Sequence, residues 1–474
     1  MRWALRITLA VVLAAGALVS AVVAVRTAAG DAPTIGDRGG DPEGVATPLL
    51  SARRLPELLS TPLADGTLAL FLDDYIARLP GGTCLVVHVD GRPIAAHAPD
   101  VPLTPASAQK LVTAAAALAE IGPEHRFRTA ASAEVPPAGG VVEGDLWLVG
   151  GGDPVLVTDD YAARGEVPQE VRTRLEDLAD ALVAAGVTRV AGSVVGDGGR
   201  YDDQRYVAAW PPRFVDQNQT GPLGGLAVDQ GFESYPTEAE PAREELPAAD
   251  PALHAAGVLT LLLRDRGVVV DGAPLAGPVG AGAVELAAVE SPELRDIVGD
   301  MLATSDNTVA ELLLKEVGLQ VGGEGSTAAG ASAALASLER QGFDLDGIEA
   351  VDGSGLASGN DATCAFLVGL LEAAGPDSDL AADLAVAGET GTLRRSFLGT
   401  SVEGRLRAKT GLLADVGALA GFVEGPAGEQ VTFAFIVNGD LPTAVPIGLR
   451  TELGAILGLY PQRPPIDDLD PEAP

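Results

Sequence analysis

Lysine is nearly missing from this 474-residue chain: it occurs three times, at Lys110, Lys315 and Lys409. Basic residues total 31 against 66 acidic ones, for a formal net charge of -35. A chain so short of positive charge has no basic face with which to neutralise phosphates, which excludes nucleic acid as a partner. Histidine is scarce too. His88, His97, His125 and His254 lie scattered, without the short spacings that hold a metal. Neither a metal nor a cofactor is therefore expected. Two cysteines, Cys84 and Cys364, are too few for a disulfide-built scaffold. Aromatics are only 4%, but the apolar fraction of 47% is too high for a disordered chain, and the 59 glycines show no collagen period. The length allows a large core and two or three domains.

Long apolar runs are also absent, with one exception. Ile7 to Val25 carries no charge over 19 residues, preceded by Arg2 and Arg6 and followed by Arg26. A charged start and an apolar run form an export signal, and at about 1.5 Å per residue the run just reaches across a ~30 Å bilayer core. Residues 1–29 read equally as a cleaved signal peptide and as an N-terminal membrane anchor. The rest of the protein is expected outside the cytoplasmic membrane, touching it only through this segment. In an exported chain Cys84 and Cys364 could form one disulfide, or stay as two buried thiols.

A Gly/Pro/Asp-rich stretch over residues 30–65 reads as a linker. Helical periodicity starts near Leu68, and two short strands, Cys84 to Val89 and Pro93 to His97, flank the hairpin signal Asp90-Gly91. An Ala-rich helix is expected from about Ala106 to Ile121. Between about 128 and 290 short strands broken by Gly and Pro dominate, such as Gly140 to Val149, Val190 to Gly196 and Val258 to Val270, with one helix near 172–186. Helical patterns return from about 292, followed by strands near 415–424 and 430–438 and a helix near 442–457. The pattern predicts an α+β domain over 66–130 and 290–458, interrupted by a β-rich insertion over 131–289. Residues 459–474 read as a disordered acidic, Pro-containing tail.

Three short motifs carry chemistry. In Thr104-Pro-Ala-Ser107-Ala-Gln-Lys110, Thr104 suits an N-cap and Pro105 the first helical position, which places Ser107 in the first turn. Ser107 and Lys110 then share a helix face. A serine hydroxyl needs a neighbouring base, and a desolvated lysine with a lowered pKa can serve. An ordinary capped helix with a surface lysine would look the same. In Ser305-Asp306-Asn307, Ser305 could relay a proton and Asn307 hydrogen-bond a substrate amide. Thr308-x-x-Glu311 also reads as a capping box, which would make this plain helix-start chemistry and Lys315 an ordinary residue of that helix. In Lys409-Thr410-Gly411-Leu412, Lys409 could hold a carboxylate and Gly411 let a substrate backbone approach. The Leu412 N–H would join that of Ser107 as an oxyanion hole.

In this order the three motifs are the Ser–Lys acyl-transfer set of β-lactamases and penicillin-binding proteins. The chain resembles the class C low-molecular-mass penicillin-binding proteins, the D-alanyl-D-alanine carboxypeptidase/endopeptidases, over most of residues 70–458. Further likeness lies in Gly144-Asp-Leu-Trp-Leu-Val-Gly-Gly-Gly-Asp-Pro-Val-Leu156, Val194-Val-Gly-Asp197, Trp210-Pro211, Asp352-Gly-Ser-Gly-Leu356 and Gly391-Thr-Leu-Arg-Arg395. The resemblance implies a β-lactamase/transpeptidase-like domain with the insertion between the first and second motifs. It implies a catalytic set of Ser107, Lys110, Ser305, Asn307 and Lys409, with Thr410, Gly411 and Leu412 at the substrate. The implied partners are peptidoglycan stem peptides, and β-lactams as covalent inhibitors. Three positions depart from the family pattern: Leu412 replaces Thr or Ser, Ala357-Ser358 follows where Ser-Arg is usual, and Thr390 replaces Asp. A β-lactamase or esterase on the same scaffold, or a cell-wall-binding protein without turnover, would share these motifs.

Overall fold

Residues 55–164, 169–237 and 239–462 are described in a computed structural model. The chain divides into Met1–Leu55 and Pro56–Pro474, and the description below concerns the second unit. The apolar run Ile7 to Val25 lies outside the described residues, as does most of the 30–65 linker.

Asp90 and Gly91 both take positive φ, 47° and 75°, the twist that suits a two-residue hairpin. They join strands Thr83–Val89 and Arg92–His97. These strands form one side of a five-stranded antiparallel sheet, continued by Gln430–Asn438, Val416–Glu424 and, at the far edge, Leu406–Leu412. The inner strands are apolar on both faces because both faces are covered. Helices Lys110–Glu120, Leu294–Thr304, Asn307–Gly322 and Cys364–Ala374 pack with Val86, Ala420 and Ile436 on one side. Helices Leu55–Ile76 and Ala444–Leu457 pack with Leu85, Val87 and Phe435 on the other. Cys84 and Cys364 are joined as a disulfide across 280 residues, tying a central strand to the start of a covering helix.

A second sheet lies in the segment between the first two motifs. Its order is Leu275–Ala276, Val194–Asp197, Leu146–Val149, Arg128–Ala133, Val284–Glu290, parallel at the first two junctions and antiparallel at the rest. Here one sequence expectation fails. The stretch expected as a strand over Val258 to Val270 is mostly the helix Pro251–Asp265, with only Val269–Val270 extended. Asp250 caps that helix by accepting from the N–H groups of Ala252 and Leu253, and Pro251 occupies its first turn. Ala252, Ala255, Ala256, Leu259 and Leu263 are buried at helical spacing.

Four smaller corrections follow from packing. The first helix begins at Leu55, inside the expected linker, and buries Ala64, Leu68, Leu72 and Tyr75 on one stripe. Tyr460, in the expected disordered tail, is buried and donates to Asp65 Oδ1 at 2.9 Å. The expected capping box is absent, since Asp306 is the N-cap and Glu311 is fully buried. Lys315, expected as an ordinary residue of that helix, is 0% exposed, paired with Asp202 and donating to Gln204 O at 3.2 Å. Beside it, Glu316 takes Arg200 in two hydrogen bonds of 2.6 and 2.9 Å and the Tyr201 hydroxyl at 2.9 Å. The segment between the first two motifs thus grips the helix that starts at Asn307.

Because the disulfide closes a very long loop, its removal should be felt. Replacing both cysteines by alanine should destabilise the fold by about 2–5 kcal/mol. Thermal unfolding of the double variant without a reductant checks this, and an unchanged melting temperature would contradict it.

Candidate active site

The helix expected over Ala106 to Ile121 is divided. A 3₁₀ turn, Ala106–Gln109, carries Ser107 and leads into the α-helix Lys110–Glu120. Thr104 is not its cap. The Thr104 backbone is instead clamped by Asn438, whose Oδ1 accepts from Thr104 N at 2.8 Å and whose Nδ2 donates to Thr104 O at 3.0 Å. Ala106 is held at φ 48°, an uncommon conformation for a residue with a Cβ, and it presents Ser107. Two glycines make that turn possible. A Cβ on Gly355 would lie 2.0 Å from Ala106 O, and one on Gly411 would lie 2.7 Å from Pro105 O. Gly411 therefore brings the third-motif strand against the serine turn.

Lys110 Nζ is completely buried and donates to Ser107 Oγ at 3.2 Å, Asn307 Oδ1 at 2.7 Å and Ser354 O at 2.6 Å. Burial lowers its pKa to about 8, against the opposing pull of Asp352, Glu311 and Asp306. Ser305 ends the helix Leu294–Thr304 in the left-handed conformation, φ 65°. Its Oγ accepts from Lys409 Nζ at 2.8 Å. Lys409 also donates to Thr410 O at 2.8 Å, and burial first, then Lys110 and Arg450, push its pKa far down. Asn307 donates through Nδ2 to Gln219 O at 2.8 Å.

Strand Leu406–Leu412 is the sheet edge, and its outer side starts paired: Ala387 N donates to Leu406 O and Ala408 N to Ala385 O. Strand alternation then turns the backbone groups of Thr410 and Leu412 to that same outer side. There they meet a cleft of about 350 Å³ lined by Ser107, Ser305, Asn307, Thr410, Leu412 and Arg450. The Thr410 hydroxyl hydrogen-bonds Thr392 Oγ1 at 2.9 Å, and Leu412 is 42% exposed. Among the described residues no group of His, Cys, Asp and Glu is arranged to hold a metal.

Sequence reasoning gave Glu311 and Asp352 no part in holding the lysine. Glu311 Oε1 accepts from Gly353 N at 3.0 Å and Ser354 N at 2.8 Å, fixing the loop whose Ser354 carbonyl receives Lys110. Burial, with Asp352 nearby, raises its pKa to about 8. Asp352 accepts from Gly355 N, Ala357 N, Asn360 Nδ2 and Trp210 Nε1, all within 2.8 Å. The one sequence hint was a Glu inside the otherwise apolar run Val309 to Leu314. Gln219 and Arg450 stand in stretches without any such signal.

A serine and two buried lysines converging on an open strand edge define a Ser–Lys acyl-transfer enzyme. Residues 70–235 and 233–457 match the D-Ala-D-Ala carboxypeptidase 3 (S13) family, and the chain belongs to that family of hydrolases. It is 30% identical to a D-alanyl-D-alanine carboxypeptidase of Actinomadura sp., over 84% of this chain and 85% of that one. It is 31% identical to the carboxypeptidase DacB of Mycolicibacterium smegmatis, over 90% and 87%. In three dimensions it is similar to penicillin binding protein 4 (dacB) from Haemophilus influenzae, with a TM-score of 0.69 and 21% identity over 82% of this chain and 99% of that one. The α+β, transpeptidase-like architecture expected above is the fold of that structure.

Two measurements follow. With three lysines in the chain, selective labelling gives three ε-group NMR signals, and that of Lys110 should titrate with a midpoint near 8; a midpoint near 10 would contradict the buried geometry. Glu311→Ala strands two buried N–H groups and should cost about 2–5 kcal/mol, whereas Glu311→Gln keeps the acceptor and costs about 1 or less. The raised Glu311 pKa means the folded state holds an extra proton between the ordinary carboxylate range and about 8, so wild-type stability falls as pH rises through that window. Denaturant unfolding across pH 5–8 should show a flatter profile in Glu311→Gln.

Proposed function

We propose that the chain is a serine D-Ala-D-Ala carboxypeptidase and/or DD-endopeptidase that acts on peptidoglycan stem peptides through a Ser107 acyl-enzyme. The observation that carries this reading is the Lys110 amine, fully buried and 3.2 Å from Ser107 Oγ at the wall of an open cleft. Unprotonated Lys110 takes the proton of Ser107 as Oγ attacks the carbonyl carbon between two D-residues. The backbone N–H groups of Ser107 and Leu412 receive the oxyanion. The proton taken by Lys110 is returned to the leaving amine through Ser305, which Lys409 holds by a hydrogen bond, and Asn307 orients the substrate amide. The peptide lies along the open edge of Leu406–Leu412 as an added strand. Water then hydrolyses the ester and frees Ser107.

β-Lactams acylate the same serine, because they present a strained amide to it. Among the described residues no Asp or Glu lines the cleft, so no carboxylate is placed to activate a deacylating water. This favours a peptidase with a long-lived penicilloyl adduct over a β-lactamase. The catalytic domain spans 66–130 and 290–458, with 131–289 inserted. The enzyme works outside the cytoplasmic membrane, exported or anchored through residues 1–29, a setting in keeping with its disulfide.

Purified protein should release D-Ala from a stem pentapeptide, and penicillin should leave one adduct that peptide mass spectrometry places on Ser107. Ser107→Ala should lose both, with turnover down at least about 10³-fold. An adduct on another residue, or undiminished turnover in Ser107→Ala, would sink the assignment.

A further inference from the structure

Arg450, on the helix Ala444–Leu457, is a cation of the cleft wall that no described carboxylate answers. Its Nη1 donates to Gly411 O and Ala418 O, both at 3.2 Å, bridging the edge strand and its neighbour. These are neutral carbonyls. In a chain with 66 acidic residues, no described carboxylate pairs with this guanidinium. Burial alone lowers its pKa, without any carboxylate to offset the loss of water. None of its nitrogens is buried without a partner, and the residue lines the cleft with Ser107, Thr410 and Leu412. Among the described residues only Nη1 is engaged, which leaves Nε and Nη2 as spare donors on a residue of the cleft wall.

The other cation at this end of the site cannot do the same work. Lys409 is 0% exposed, and its ammonium position is taken up by Ser305 Oγ and Thr410 O at 2.8 Å each. Desolvation and the two neighbouring cations push it toward the neutral form. Leu412, at the mouth, offers the substrate only an apolar side chain and its backbone. A planar guanidinium, by contrast, keeps its charge and matches the two oxygens of a carboxylate.

From this geometry we infer that Arg450 is the specificity-determining residue that binds the terminal carboxylate of the peptide substrate, a role Lys409 does not fill. The inference rests on the peptidase reading above. It makes the enzyme select peptides whose leaving residue carries a free carboxylate, because a capped one offers no anion to the guanidinium.

The test uses the whole protein and two acetylated tripeptides ending in D-Ala-D-Ala, one with a free carboxylate and one with a carboxamide. Wild type should prefer the carboxylate. In Arg450→Gln, which keeps one amide donor for the strand carbonyls, kcat/KM for the carboxylate peptide should fall about 10- to 100-fold, mainly through KM. The carboxamide peptide should be cleaved as before, which also shows that the variant folds. Arg450→Lys should recover part of the preference. If Arg450→Gln retains the wild-type preference, or loses both substrates equally, the assignment is overturned while the peptidase reading stands. If wild type cleaves neither peptide and penicillin leaves no adduct on Ser107, the peptidase reading itself is overturned.

Discussion

Everything in this site depends on keeping one amine out of water. Lys110 Nζ has no solvent contact, so its three donors must end on protein acceptors, and they do: Ser107 Oγ, Asn307 Oδ1 and Ser354 O. Those acceptors come from three separate parts of the chain, the serine turn, the second-motif helix and the Asp352–Leu356 loop. Satisfying the lysine therefore assembles the site. Removing water also lowers the proton affinity of the amine. The constraint continues outward. The loop that supplies Ser354 is held by Glu311 and Asp352, each buried and each accepting backbone N–H groups.

The segment between the first two motifs takes part in this arrangement. Gln219 O receives the Asn307 amide, Gln230 bonds Asp306, and Trp210 Nε1 donates to Asp352. Farther along the same helix, Arg200, Tyr201 and Asp202 hold Glu316 and Lys315. The second-motif helix is thus fixed at its start and along its length by a segment that precedes it in sequence. Positive φ at Ala106 and Ser305 places strained backbone at the two serines. The surrounding contacts, notably Gly355 against Ala106 and Lys409 on Ser305, hold these residues in place.

Much of the frame was readable along the chain because it depends on local order. Asp90-Gly91 marks a hairpin by its conformational freedom, and the last two strands and final helix follow period and punctuation. The residues that line the candidate site were legible as three motifs, since each is short and its residue types are chemically uncommon side by side. The failures share a cause. Val258 to Val270 looks like a strand until Asp250 caps it and a helical stripe finds a core. Thr308-x-x-Glu311 looks like a capping box until Glu311 turns inward to Gly353 and Ser354. Local pattern cannot tell a side chain that faces solvent from one that faces a distant loop.

The lysine scarcity takes on its meaning at this point. The sequence determined that three lysines exist, that two stand in motifs of the Ser–Lys set, and that one serine, Ser107, lies within a helical turn of one of them. It left their state open, and read Lys315 as an ordinary helix residue. Tertiary structure decided that all three are fully buried, and gave each a different set of partners: hydroxyl, amide and carbonyl for Lys110, hydroxyl and carbonyl for Lys409, carboxylate and carbonyl for Lys315. It also brought in Arg450 from beyond every motif. Charge type is written in the chain, but desolvation and pairing arise only when residues hundreds of positions apart exclude water from the same small volume.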